Sequence, residues 1–170
     1  MFSRSEIEEA VLQALSNVHQ DAINAAKRAH DTATGTESVA ENKYDTFGLE
    51  ASYLAHGQSV RVAECQADLH AYQQLFASLK HKASQGELTD KPLQIANGNL
   101  IELIDDDDVV SLLFMGPSAG GLKVCINQRQ FMLITALSPI GKALFSRQIE
   151  DEISLSIAGK SHHYQVVAIY

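Results

Sequence analysis

Tryptophan is absent from this 170-residue chain, and proline occurs only three times and cysteine twice. Cys65 and Cys125 stand 60 residues apart, with no C-x-x-C pair and no metal-ligand spacing, which argues against a zinc module or a disulfide scaffold. No apolar run approaches the ~18 residues of a membrane span. The opening M-F-S-R-S-E-I-E-E is acidic and has no apolar signal region. These absences predict a soluble cytoplasmic protein with no membrane partner. Positive charge is also scarce: 13 Lys and Arg against 21 Asp and Glu give a net charge of −8. Residues 1–90 carry seven of the basic side chains and thirteen of the acidic ones. Such a surface disfavours direct binding of free duplex DNA and suits a basic protein surface or a bound cation.

Catalytic signatures are missing as well. Ser138 precedes Pro139 outside any G-x-S-x-G context, and Gly120-Gly121 is not followed by a helical pattern that would make it a phosphate loop. His162-His163 is expected on a turn, with no partner at ligand spacing. Asp105 to Asp108 is expected to be a solvated turn. The chain reads as a non-enzyme that holds no metal by itself.

What the sequence does contain is a long heptad pattern. Tyr44, Gly48, Ala51, Ala55, Gln58, Val62, Cys65, Leu69, Tyr72, Phe76 and Leu79 follow one another at alternating four- and three-residue steps. That is a coiled-coil seam, and it needs a partner helix. Ile7, Val11, Leu15, Val18, Ala22, Ala25 and Ala29 supply one on an earlier helix over Ser5 to Ala33, for which Ser5 and Glu8 offer a capping box. A short break at Thr32 to Ser38 and a second helix over Val39 to Ser84 then make an antiparallel hairpin. Both seams use small residues near the break. Tyr72, Phe76 and Leu79 lie beyond the reach of the first helix and need another surface to pack on.

After a linker at Gly86 to Pro92 the texture changes to short apolar runs separated by turns. Strands are expected over Leu100 to Ile104, Val109 to Met115, Leu122 to Ile126, Gln130 to Thr135, Ile153 to Ile157 and Tyr164 to Ile169. Ser138 as cap and Pro139 at the first helical position predict one short helix. The fold class is therefore α+β: a coiled-coil hairpin over residues 1–86, with its tip at about residues 32–42, then a small antiparallel sheet domain over residues 93–170.

Three segments carry a resemblance over this framework: E-N-K-Y at Glu41 to Tyr44, S-P-I-G-K-A-L-F from Ser138, and E-D-E-I-S-L from Glu150, with Y-Q-V-V-A-I near the end. The chain resembles the Gre family of bacterial transcription elongation factors. The resemblance implies an FKBP-like sheet domain that docks on RNA polymerase, here through Ser138, Pro139, Ile140, Gly141 and Lys142. It also implies a hairpin that enters the secondary channel. No cofactor is implied except Mg²⁺ within the polymerase complex, faced by the tip acids Glu37, Glu41 and Asp45, with Asn42 and Tyr44 as further tip matches. RNA and DNA would be contacted only indirectly, by a monomeric factor.

The tip departs from the family pattern. Ser38 stands where the family has an acid, Glu37 is one step off register, and Lys43 and Glu150 differ too. Two outcomes follow from the resemblance: help with Mg²⁺-dependent cleavage of backtracked RNA, or occupation of the channel with inhibition or modulation and no cleavage. A third reading is a coiled-coil adaptor unrelated to polymerase. A prolyl isomerase is disfavoured, since only Phe114, Phe131, Phe145, Tyr164 and Tyr170 could furnish an aromatic pocket.

Overall fold

The computed structural model describes residues 2–34, 47–86, 94–157 and 159–170. Helix α1 spans Arg4–Thr34 and α2 spans Phe47–Ser84. Strands β1 (Leu100–Asp105), β2 (Val110–Gly116), β3 (Lys123–Ile126) and β4 (Arg129–Thr135) follow, then the short helix α3 (Pro139–Leu144), β5 (Glu152–Ile157) and β6 (Lys160–Ile169). The chain divides into two compact units, Leu12–His70 and Met1–Val11 with Ala71–Tyr170. The division thus falls inside both long helices. The linker expected at Gly86 to Pro92 lies, beyond Gly86, outside the described residues.

In the unit Leu12–His70 the heptad pattern is realised position by position. Gly48, Ala51, Ala55, Gln58, Val62, Cys65 and Leu69 are all buried or half-buried, whereas most of the residues between them are exposed. On α1, Leu15, Ala22 and Ala29 are buried, and Val18 and Ala25 half-buried. Numbers rise along α1 as they fall along α2. In this unit Val18, Asp21, Ala22 and Ala25 of α1 and Gln58 and Arg61 of α2 line one groove of about 370 Å³; in the other unit, Glu8 meets Lys80 at 2.7 Å. Gln58, the one polar member of the seam, sits at that groove, where neighbouring alanines leave space for its amide.

Gly57 faces outward from α2, and a methyl group added there would meet nothing within 4 Å. Its cost is therefore purely the backbone entropy of glycine. Gly57→Ala is expected to stabilise the chain by about 1 kcal/mol. A circular-dichroism melt should show this as a rise of roughly 2–4 °C.

The other unit begins with the helix start. The capping box is built two residues earlier than Ser5 and Glu8 suggested. The Ser3 Oγ accepts from the Glu6 amide at 3.2 Å, and the Ser3 amide donates to the Glu6 carboxylate at 2.7 Å. Ser3-x-x-Glu6 and Ser5-x-x-Glu8 are overlapping matches to one pattern. The earlier one wins because it adds helical residues and leaves Glu8 for Lys80. Hydrogen bonds from the Ser3 backbone and side chain hold the Glu6 carboxyl below the ordinary range.

The six strands form one sheet in the order β3-β4-β2-β1-β6-β5. It is mixed, not wholly antiparallel as the short turns suggested. β2 and β4 pair in parallel, with Leu113 opposite Met132 and Met115 opposite Ile134. The parallel pair arises because β3 returns along the outside of β4 as an edge hairpin, leaving the inner side of β4 to join β2. The β5–β6 hairpin is also longer than expected. Lys160 already pairs with Ile157, across a turn with Gly159 at φ +79°. His162 and His163 consequently stand on β6 and not in a turn. Alternating apolar residues could not reveal this, because Lys160 to His163 contains none.

Strand β2 is buried on both faces, which explains its unbroken run L-L-F-M. On one face Ile101, Leu103, Leu113, Met115, Ile134 and Val166 close over Leu144 of α3. On the other, Phe114 lies 6.3 Å from Tyr72, 6.1 Å from Phe76 and 6.2 Å from Phe131, ring centre to ring centre. These offset, tilted contacts are favourable for aromatic pairs. The end of α2 has thus found the surface it needed. The Tyr72 hydroxyl donates to the Ser118 carbonyl at 3.0 Å.

Two glycines make room for that helix. A methyl on Gly116 would come within 2.5 Å of the Tyr72 ring carbon Cζ, and one on Gly98 (φ +97°) would come within 2.5 Å of Leu79 Cδ1. At the end of the chain, Leu100 and Tyr170 exchange backbone hydrogen bonds of 2.8 and 3.0 Å. The Tyr170 hydroxyl donates to Glu102 at 3.1 Å. Burial, then the Glu102 carboxylate, pushes that hydroxyl above its ordinary pKa.

Candidate protein-interaction surface

Helix α3 is where the most specific sequence signal falls, and the structure separates its residues into two groups. Ser138 has extended backbone (φ −68°, ψ 155°) and caps the helix. Its hydroxyl accepts from the Gly141 amide at 3.1 Å and donates to the Thr135 carbonyl at 2.7 Å. Pro139 sits in the first turn, where a missing amide costs nothing. Gly141 is buried against the end of β4: an added methyl would overlap the Thr135 carbonyl oxygen and approach its carbon to 2.7 Å. Ile140 and Ala143 rest on the core beside Leu144. Ser138, Ile140 and Gly141 therefore build the strand-to-helix corner. Of the five residues expected to dock, Pro139 and Lys142 are the exposed ones.

The structure adds neighbours that the motif did not include. Leu137, just before the cap, is 82% exposed, and Phe145, just after the last turn, is 47% exposed. Lys142, Phe145 and Arg147 line a groove of about 540 Å³ with Gln148 and Asp151. Arg147 is held in place from both ends: its Nε donates to the Ala143 carbonyl at 3.3 Å, and its carbonyl accepts from Ile95 at 2.8 Å. Here an acidic chain presents two cations beside exposed apolar side chains. The missed residues lie outside the helical period, so periodicity could not flag them. A large apolar residue on each flank of a six-residue helix was the available signal.

Glu150, which stands where the family pattern has glycine, has φ +74°. That left-handed backbone is where glycine is the relaxed choice. The Glu150 amide donates to Val166 at 2.8 Å, which holds the turn in place with the larger residue.

The expected tip residues Glu37, Glu41, Asn42, Tyr44 and Asp45 lie outside the described residues. Asp105 to Asp108 forms a closed turn in which the Asp105 carboxylate accepts from the Asp107 and Val109 amides at 3.0 and 2.9 Å. Ser154 and His163 are cross-strand partners at 2.8 Å, both exposed. Among the described residues no group of three His, Cys, Asp or Glu is placed to hold a metal ion. No helix among them is long and apolar enough to cross a membrane.

A pair of long helices followed by a six-stranded mixed sheet with one short helix places the chain among helical-hairpin proteins that carry a small α+β unit. No family model matches the sequence, and no curated protein does. Solved structures are similar to it. The transcription factor Gfh1 is 18% identical, over 95% of this chain and 94% of that one, with a TM-score of 0.39. Gfh1 of Thermus aquaticus is 18% identical over 95% of each chain, with a TM-score of 0.38. A prokaryotic transcription elongation factor, GreA/GreB from Nitrosomonas europaea, is 18% identical over 58% of this chain and 78% of that one, with a TM-score of 0.36.

Proposed function

We propose that this chain is a Gre-type transcription elongation regulator, a non-enzyme that binds RNA polymerase through the α3 surface and offers its helical hairpin to the secondary channel. The observation that carries this reading is the corner at Ser138 to Gly141. Its conspicuous residues are spent on cap and close packing, and the effect is to present Lys142, Phe145 and Arg147 together on a firm support. A cationic and aromatic surface on an acidic chain suits an acidic, apolar protein partner. In this reading Glu37, Glu41 and Asp45 face the Mg²⁺ of the polymerase active centre, and nucleic acid is met only inside the complex.

The test is binding to bacterial core polymerase. Lys142→Glu combined with Phe145→Ala changes two exposed positions and should leave the melting curve in place. It is expected to weaken binding at least tenfold, or about 1.4 kcal/mol. Equal binding by parent and variant, or none by the parent, would sink the reading. A cleavage assay on backtracked complexes, with Glu41→Ala as comparison, then separates a stimulator from a channel-occupying inhibitor.

A further inference from the structure

Helix α2 carries a second heptad seam, on the side away from α1. Leu49, Tyr53, His56, Val60, Ala63 and Ala67 follow at alternating four- and three-residue steps, and His70 and Gln74 continue the series. All eight are exposed, Leu49 at 58%, Tyr53 at 70% and Val60 at 45%. If these positions are a and d of a heptad, the seam buried against α1 occupies c and f. One helix therefore has two opposite seams, and one of them faces water.

We infer that this second seam pairs with its own copy, α2 against α2 in antiparallel orientation, making a homodimer through the hairpin flank. The flanking charges argue for this occupant and this register. Antiparallel coiled coils set a against d, and e against e. With Tyr53 opposite His70 of the other copy, His56 falls opposite Ala67 and Val60 opposite Ala63. Tyr53, His56 and Val60 then each meet a small or planar side chain, and Leu49 meets Gln74. The carboxylates on this flank, Glu50 and Glu64, occupy e positions opposite Ala71 and Gly57, each beside an imidazole, His70 and His56 respectively. The g positions Ser52, Ser59 and Gln66 are uncharged. No two like charges meet, although each chain carries a net charge of −8.

Sliding one heptad, to set Tyr53 against Ala63, would place Glu50 against Glu64 twice. A parallel pair would stack Tyr53 on Tyr53 and leave Ala63 facing Ala63. Of these three arrangements, charge and volume favour the one with Tyr53 opposite His70, which also keeps the whole seam in contact. The inference rests on α2 alone and is independent of the polymerase reading. It departs from the monomer expected from the resemblance. Seven or eight seam positions, several of them alanine, bury less than the ~800 Å² per partner of a standard interface. The dimer is therefore expected to be weak, with a Kd on the order of 10–100 µM.

The experiment has two arms, both on the full chain. Sedimentation over a concentration series should show dimer growing with concentration for the parent and monomer throughout for Val60→Glu, an exposed position that leaves folding intact. In a Cys125→Ser background, Tyr53→Cys mixed with His70→Cys should oxidise to a mixed disulfide, with little Tyr53→Cys homodimer. The two positions are 17 residues, roughly 25 Å, apart along the helix, so a parallel pair cannot make that bond. A parent that remains monomeric at millimolar concentration overturns the inference. A disulfide between two Tyr53→Cys chains overturns the orientation and with it the charge argument.

Discussion

Phe114→Ala is expected to lower the unfolding free energy by about 3–5 kcal/mol, the usual cost of emptying an aromatic core site. Phe114 is fully buried at the centre of four rings, with Tyr72, Phe76 and Phe131 each within 6.3 Å of its own. Its loss removes all three of those ring contacts and leaves a cavity between helix and sheet. Neither wall can collapse onto the other easily, since β2 is packed on its opposite face as well. Domains of this size are stable by roughly 5–15 kcal/mol, so the variant should approach unfolding at growth temperature. Urea denaturation would measure the change. Tyr53→Ala, which removes a ring of similar size from an exposed site, should move the midpoint hardly at all. A cost below 1 kcal/mol for Phe114→Ala would mean that the ring cluster does not bind α2 to the sheet.

Gly141→Ala comes next in size. The added methyl would overlap a backbone oxygen, the Thr135 carbonyl, which also accepts from the Ser138 hydroxyl and amide. A flexible side chain could turn aside, but this carbonyl ends β4 and starts the corner. Overpacking typically costs about 1–3 kcal/mol, and the rigidity of this neighbour puts the expectation at the upper end. Leu144 is fully buried beneath α3. The loss should therefore appear in hydrogen exchange as early opening of residues 138–145, ahead of the rest of the sheet. Lys142→Ala, one residue on and exposed, should leave both exchange and stability unchanged. The pair separates what the motif does for folding from what it does for a partner.

The helices were legible in the sequence because a heptad repeated over nine or ten turns leaves little freedom. Every described seam position from Gly48 to Leu79 is buried or half-buried as the spacing required. The six strands and α3 were legible within a few residues, from turn residues and from Ser138-Pro139. Strand pairing was not. A run such as Q-F-M-L-I-T does not encode whether its neighbour is parallel, and the parallel β2–β4 pair follows from where β3 lies. The capping box was ambiguous because two S-x-x-E matches overlap. At the candidate surface, the motif named the residues that make the corner, and the side chains that the corner displays had no period to reveal them. The second seam on α2 was hidden because the stronger seam absorbs the same search: residues on the opposite face look like solvent positions until their exposure is known.

Gly98 and Gly116 act as two sockets, filled by Leu79 and Tyr72, seven residues or roughly 10.5 Å apart on α2. Together they index the helix axially, as two pins fix a rail where one would let it slide. A shift of one turn would bring no matching pair of side chains to the sockets. The seating of residues 72–79 on the sheet therefore tolerates neither an insertion nor a deletion between Tyr72 and Leu79, since either would empty one socket whenever the other was filled.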